Sequence, residues 1–436
     1  MRSRVEAEGE LGRVAAGVVD AVLGACEPGV MTLRAWPPEL DSAERVVLIA
    51  AGKGAIGMVR AAMARLGDRV DRGVVIGPAS MIEAWADRPA QLEVFGADHP
   101  LATTRNVEAA TRALEMARTC GGRETLLSLI SGGASAYLTL PDEGVALDDV
   151  RGVTRALLRA GAAISELNSV RKRLDRVKGG GLARAGGGAG EHWSLILSDV
   201  LGDPLDVIGS GPTALDTTTY HEAMRVLERY GQIGSHPRVE ACLRQGAARE
   251  SAREVDASET IWSRVRHRVV GNNAVAVEHA AGYLRGQGFD VVTTRGGVSG
   301  EAREVGAALA DRVLALRNGH RRAEVWGGET TVSVGKERGV GGRCQELALS
   351  AACALSGVPG VGVIAFGTDG VDGPTDAAGG VVDGDTASRI RAAGLSPEEA
   401  LERHDSRTAL GQAGALIRTG VSGTNVIDVM IGVSLA

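Results

Sequence analysis

A chain of 436 residues, 44% of them hydrophobic, has the length for two or three domains and the apolar content to bury full cores. Its net charge of −6 and 3% aromatic content exclude the basic surface and stacking platforms of a nucleic-acid binder. Five widely separated cysteines without a C-x-x-C exclude a disulfide framework or a zinc site. No apolar run reaches the ~18 residues of a membrane span, and the charged opening MRSRVEAEGELGRV lacks the apolar stretch of a signal peptide. The expectation is a cytoplasmic protein that engages neither membrane nor nucleic acid.

Short apolar runs alternate with helical stretches, which predicts an α/β fold with a mainly parallel sheet. Strands are expected at residues 46–50, 73–76, 91–94, 125–130, 193–197, 265–270, 290–293, 323–326, 331–334 and 361–365. Helices are expected at 11–25, 55–66, 107–119, 147–160, 218–230, 274–287, 302–317 and 345–354. The polar segment 246–260 (GAARESAREVDASET) has no apolar periodicity and reads as a linker. It divides an N-terminal domain over 1–250 from a C-terminal domain over 261–436.

Residues 45–67, RVVLIAAGKGAIGMVRAAMARLG, hold a G-x-G-x-x-G at Gly52, Gly54 and Gly57 between a strand and a helix. A dinucleotide site needs an acid at the end of the second strand. Here that strand ends in Gly77-Pro78, and Asp68 and Asp71 lie before it. Lys53 is then the informative residue. It is one of only four lysines among 48 basic residues, and it can aim a compact charge from a strand-to-helix turn at a phosphate or carboxylate. The alternative is a tight turn carrying a solvated lysine.

Residues 126–141, LLSLISGGASAYLTLP, run from a strand into a small-residue loop with Ser131, Gly132, Gly133 and Ser135. Its N–H groups can form an anion nest, or the loop is only a permissive turn. Residues 166–184, ELNSVRKRLDRVKGGGLAR, gather Arg171, Lys172, Arg173, Arg176 and Lys178 ahead of Gly179, Gly180 and Gly181. Triple glycine weakens a helix, so phosphate contact by Lys178 and the glycine backbone weighs evenly against a solvated helix face. Residues 193–213, WSLILSDVLGDPLDVIGSGPT, bring Ser198 and Asp199 to the carboxyl end of a strand, where open α/β sheets bind ligands, with Asp203 four residues on. Two such carboxylates can share Mg²⁺ or simply cap turns.

Residues 324–349, EVWGGETTVSVGKERGVGGRCQELAL, predict a hairpin, a Gly-rich loop and a helix. Glu329 follows two glycines. Arg343 opens the helix, where its charge opposes the dipole and an anionic ligand would offset the cost. Residues 367–380, GTDGVDGPTDAAGG, place Asp369, Asp372 and Asp376 just after a strand as metal or general-base candidates, against a plain turn-rich loop. Residues 418–429, RTGVSGTNVIDV, add Thr419, Ser422, Thr424 and Asn425.

Taken together, AGK (51–53), SGGASA (131–136), LNSVRKRLDRVKGGGLA (167–183), LSDVLGDPLDVIGSGPT (197–213), GGETTVSV (327–334), GGRCQELAL (341–349), GTDGVDGPTDAAG (367–379) and SGTNVIDV (422–429) resemble one family in order and over nearly the whole chain. That family is the type-2 glycerate kinases with their C-terminal MOFRL module. The resemblance implies a Rossmann-like, mainly parallel sheet in the N-terminal domain, a smaller MOFRL-type α/β domain after it, and an active site in the cleft between them. It implies phosphorylation of D-glycerate on its 2-hydroxyl by ATP with Mg²⁺. Lys53 and Arg343 map onto the lysine and arginine taken as catalytic in the family.

Phosphoryl transfer asks mainly for positioning and charge neutralisation, which distributes the remaining residues. Ser131, Gly132, Gly133, Ser135, Lys178, Gly179, Gly180 and Ser198 are assigned to the nucleotide. Glu329 and Asn425 join Lys53 and Arg343 on the substrate, Asp199 and Asp203 hold Mg²⁺, and Asp372 accepts the hydroxyl proton. The chain departs from the family pattern at Gly54 and Gly57, at Cys344, where the arginine motif continues with Asn, and at Val421, where Pro is usual. The rival functions are an NAD(P)H-dependent hydroxypyruvate reductase and a kinase of another small 2-hydroxy acid. A homodimer is compatible with the sequence.

Overall fold

The computed structural model describes residues 3–252, 260–335 and 339–435. Its strands in chain order are β1 (Arg4–Val5), β2 (Val46–Ala51), β3 (Val70–Pro78), β4 (Leu92–Ala97), β5 (Thr125–Ile130), β6 (Glu191–Leu197), β7 (Val265–Gly271), β8 (Asp290–Glu301), β9 (Arg322–Thr331), β10 (Val361–Gly367), β11 (Gly379–Asp383), β12 (Leu416–Arg418) and β13 (Asp428–Ser434). They belong to two sheets and two compact units, each interrupted in sequence. The first unit is Thr32–Leu197 with Asp203–Val270; the second is Met1–Met31, Ser198–Gly202 and Gly271–Ala436.

In the first unit the sheet order is β4-β3-β2-β5-β6-β7, and the pairs from β4 to β6 are parallel. β2 (VVLIAA) and β5 (TLLSLI) are buried at every residue, as expected of a parallel sheet covered on both faces. The chain leaves β2 towards β3 and β4, then returns to the other side of β2 for β5 and β6. The switch point of this Rossmann-like order therefore lies between β2 and β5, and open α/β sheets bind ligands outside the strand ends at such a point. A separate core in this unit joins Val153, Leu157, Leu167, Val170, Leu227 and Leu243 from the helices Leu147–Arg159, Ile164–Arg173, Tyr220–Arg229 and Pro237–Ala252.

The second unit carries a sheet of order β1-β12-β11-β10-β13-β9-β8. Every pair is antiparallel except β8–β9. The expectation of a mainly parallel sheet thus holds for the first unit and gives way here. β10 and β11 are antiparallel neighbours joined directly by residues 368–378, a connection that parallel strands do not allow. The helix Arg343–Ala354 is buried on all sides from Cys344 to Ala352, as a helix inside a core must be.

Other local expectations change for the same reason: partners come from far along the chain. The hairpin at 324–334 is instead the single strand β9, flanked by β8 and β13, which leaves residues 332–335 outside any strand. β1, β11, β12 and β13 are additions. The linker at 246–260 begins inside the helix Pro237–Ala252, whose Val239 and Leu243 face the core one turn apart; residues 253–259 lie outside the described residues. The division at 250/261 shifts as well. β7 joins the first sheet, while residues 1–31 belong to the second unit through β1 on β12 and the helix Gly9–Ala25 on the helix Asn273–Gly286. Among the described residues no single helix is long and apolar enough to cross a membrane.

Candidate active site

The switch point of the first unit is where the first two motifs meet. Ser131 N–H donates to the Ala51 carbonyl (3.0 Å), Lys53 N–H to the Gly132 carbonyl (2.9 Å), and Gly54 N–H to Ser131 Oγ (3.0 Å). Gly52 sits at φ +126°, and a Cβ there would lie 2.2 Å from Ser131 Oγ. Only glycine lets the two loops close on each other, which accounts for the first glycine of the apparent dinucleotide fingerprint. Asp71 lies near the amino end of β3, paired with Arg45 and Arg72, away from the strand end where a ribose acid would be needed.

The basic run contributes differently from the expectation. Lys178 is buried, its Nζ 2.5 Å from Asp175 Oδ2 and 3.2 Å from both the Leu138 carbonyl and Thr139 Oγ1. Gly179 and Gly180 donate their N–H groups to the carbonyls of Ser210 and Gly211 at 3.0 and 2.7 Å. These residues tie the 209–213 loop to the unit and hold no donors for a nucleotide. Lys172 is buried against Asp206 and Asp216 in the same manner. Arg171 is the member of the run that reaches the loop: its Nη2 donates to Ser135 Oγ at 2.6 Å, and Ser135 Oγ also contacts Ser210 Oγ at 2.7 Å. Burial pulls the Arg171 pKa down, with Asp175 opposing.

Ser198 turns its hydroxyl back on its own turn, donating to the Val200 carbonyl at 3.1 Å and accepting from the Val200 N–H at 3.3 Å. It therefore offers a ligand little. Asp199 belongs to the second unit and accepts from Asn425 Nδ2 at 3.3 Å, so two residues from different motifs meet. Asp203, at φ +54°, belongs to the first unit. Among the described residues no group of three or more His, Cys, Asp or Glu is arranged to hold a metal. Mg²⁺ does not need one, because it is held by one or two carboxylates together with substrate phosphates, and Asp199 supplies a hard oxygen donor of that kind.

In the second unit Arg343 stands on the wall of a cavity of about 580 Å³, lined also by Thr330, Asp369, Asp372, His404 and Asp428. Its guanidinium contacts Asp428 through Nε (2.6 Å) and Nη2 (3.0 Å), and Glu329 through Nη1. The Asp428 and Glu329 carboxylates offset the unfavourable charge at the helix start. Asp428 was not expected from the sequence, although it lies in the SGTNVIDV stretch. Burial pushes its pKa up to about 7, with Arg343 opposing and Asp372 and Glu329 adding to the rise.

Asp372, expected as the proton acceptor, spends its carboxylate on capping the helix Arg343–Ala354. Oδ1 accepts from Cys344 N–H at 3.1 Å, and Oδ2 accepts from Gln345 N–H at 2.8 Å and Gln345 Nε2 at 2.9 Å. Gly342 makes this fit possible: a Cβ there would lie 2.3 Å from Asp372 Cγ. Asp376 is paired with Arg407 and Arg418, which hold its pKa near 2. Asp369, on the same cavity wall, accepts from Val371 N–H at 3.1 Å. Glu346, three residues after Arg343 and on the same helix face, is buried against His404 and Arg303; His404 Nδ1 lies 2.9 Å from its Oε2. His404 sits at φ +54°, and no sequence pattern marked it.

A switch-point turn bearing a lysine and a guanidinium held by carboxylates on a cavity wall define an α/β enzyme suited to small anions. Residues 14–244 match the family described as a domain of unknown function, DUF4147, and residues 322–428 match the MOFRL family. The chain is 40% identical to the D-glycerate 2-kinase of Thermotoga maritima, over 89% of this chain and 90% of that protein. It is 36% identical to an Agrobacterium vitis protein that carries a provisional hydroxypyruvate reductase name, over 94% and 92% of the two chains. Among solved structures, a glycerate kinase from Thermotoga maritima superposes with a TM-score of 0.85 at 38% identity, covering 97% of this chain and 99% of that one. The chain belongs to the glycerate 2-kinase family and is an enzyme of the kinase class.

Proposed function

We propose that this enzyme transfers the γ-phosphoryl group of ATP to the 2-hydroxyl of D-glycerate, giving 2-phosphoglycerate and ADP. The observation that carries the reading is Arg343, a half-buried guanidinium held by two carboxylates on the cavity wall in a chain of this family. Charge on the transferring group spreads over its equatorial oxygens, so positioned cations do most of the catalytic work. Arg343 and Lys53 act on that group or on the substrate carboxylate. The Ser131–Gly132–Gly133 loop, Ser135 and Arg171 serve the nucleotide phosphates at the switch point. Asp199, with Asp203, would hold the Mg²⁺, which supplies further neutralisation of phosphate oxygens. Glu329 and Asn425 flank the substrate, and Asp369 takes the hydroxyl proton.

The reductase alternative is disfavoured by the carboxyl end of β3, where Gly77 and Pro78 stand in place of a ribose-binding acid. The test supplies D-glycerate with Mg-ATP, and separately hydroxypyruvate with NADH, and follows ADP release, cofactor oxidation and the phosphoglycerate isomer by ³¹P NMR. ADP release with 2-phosphoglycerate is the expected result. NADH oxidation without ADP release would sink the kinase reading, and 3-phosphoglycerate would correct the regiochemistry. Lys53→Met and Arg343→Met are each expected to lower kcat/KM by about 10²–10³-fold.

A further inference from the structure

The two acids on Arg343 differ in setting. Asp428, with 2% of its side chain exposed, lies along the Nε–Nη2 edge of the guanidinium: Oδ1 accepts from Nη2 at 3.0 Å, and Oδ2 stands 2.6 Å from Nε in an ion-pair contact. Glu329, 42% exposed, accepts from Nη1 alone. A carboxylate bound along one edge sets the plane and direction of the whole guanidinium, which a point contact does not.

The backbone that presents Asp428 is unusual. Ile427 just before it lies at φ +67°, a region that β-branched residues rarely enter and that persists only where the surroundings over-determine it. The Ile427 carbonyl accepts from the backbone N–H of Thr368 at 3.1 Å and from its hydroxyl at 2.7 Å. Thr368 Oγ1 in turn accepts from Val426 N–H at 2.8 Å. From the other side Asn273 Nδ2 donates to the carbonyls of Val426 (2.8 Å) and Asp428 (3.0 Å). Thr368 and Asn273 are both buried, so these bonds are shielded from water.

We propose that Asp428 is the positioning carboxylate of Arg343, held in place by the left-handed turn at Ile427 that Thr368 and Asn273 clasp. It fixes the Nε–Nη2 edge so that Nη1, held by Glu329 in this structure, is the donor turned to a substrate carboxylate or phosphoryl oxygen. Asp428 acts through Arg343 and does not itself touch substrate. The proposal rests on the role given to Arg343 above.

The test is steady-state kinetics of the full chain with D-glycerate and Mg-ATP. Asp428→Asn is expected to lower kcat by about 10²-fold, the scale of a misplaced catalytic group, with the KM for ATP unchanged, and Asp428→Glu should recover part of the loss. In an Arg343→Lys background, Asp428→Asn should cost less than about threefold more, because an ammonium offers no edge to a bidentate partner. Thr368→Val, which leaves every charge in place, should lower kcat about tenfold and covers the case in which Asp428→Asn does not fold. A kcat within threefold of wild type in both Asp428→Asn and Thr368→Val, or an undiminished loss in the Arg343→Lys background, overturns the proposal. If wild type releases no ADP with D-glycerate, the kinase reading fails separately, and calorimetric titration with inorganic phosphate decides the positioning role. Phosphate binding by wild type that weakens at least tenfold in Asp428→Asn upholds it; equal binding, or none to wild type, overturns it.

Discussion

Lys178 and Asp175 form an ion pair with 3% and 2% of their side chains exposed. Burial pulls the Lys178 pKa down, and Asp175 opposes that pull. Removing one member of such a pair strands the other charge in the core, at a cost of about 3–5 kcal/mol. Lys178→Met is therefore expected to shift the urea unfolding midpoint by a change of that size, while the folded fraction keeps its KM for ATP. A selective rise in KM with unchanged stability would return Lys178 to the nucleotide site. Arg343 is the contrasting residue: it too is paired with buried acid, but it stands on a cavity wall with Nη1 on a partly exposed partner. Sequence shows both as basic residues beside glycines. What separates them is the exposure of the basic side chain itself, 3% for Lys178 against 32% for Arg343.

The loops show how elements change the meaning of a motif. AGK and SGGAS are separated by about 80 residues, yet parallel pairing of β2 with β5 puts their strand ends side by side. The acid-rich loop at 367–380 was legible as a cluster of carboxylates but not as a cap, because the Cys344 N–H that Asp372 caps lies 28 residues earlier in the chain. Asp372→Asn loses an acceptor at the first turn of the helix Arg343–Ala354 and is expected to cost about 1–2 kcal/mol in thermal unfolding. Its kcat should fall by less than tenfold, since both of its oxygens are engaged by the helix start. A loss of 10²–10⁴-fold, the range for a general base, with the fold intact, would restore the catalytic role.

At the scale of the molecule, the second unit depends on the start of the chain. Leu11, Val14, Val18, Val19 and Val22 of the helix Gly9–Ala25 are buried, β1 completes the sheet edge at β12, and Glu6 pairs with Arg418 at 2.9 Å. Each such aliphatic side chain contributes about 1.5–3 kcal/mol on burial. Deleting residues 1–31 is expected to lower or abolish the calorimetric unfolding transition of the second unit while the first unit retains its own. An unchanged scan would show the segment to be dispensable.

The sequence by itself determined the α/β class, the buried parallel strands β2 and β5, the turn that bears Lys53, and the family. The first three follow from periodicity and turn chemistry, which are set by neighbours along the chain, and the family follows from the resemblance of its motifs. Only the tertiary structure decided which polar groups face a cavity and which satisfy one another. Arg343 finds Asp428 across 85 residues, Lys172 finds Asp216 across 44, and Arg418 finds Glu6 across 412. A buried charge or N–H must find a partner wherever the fold brings one within hydrogen-bond reach, and that distance is not written in local order.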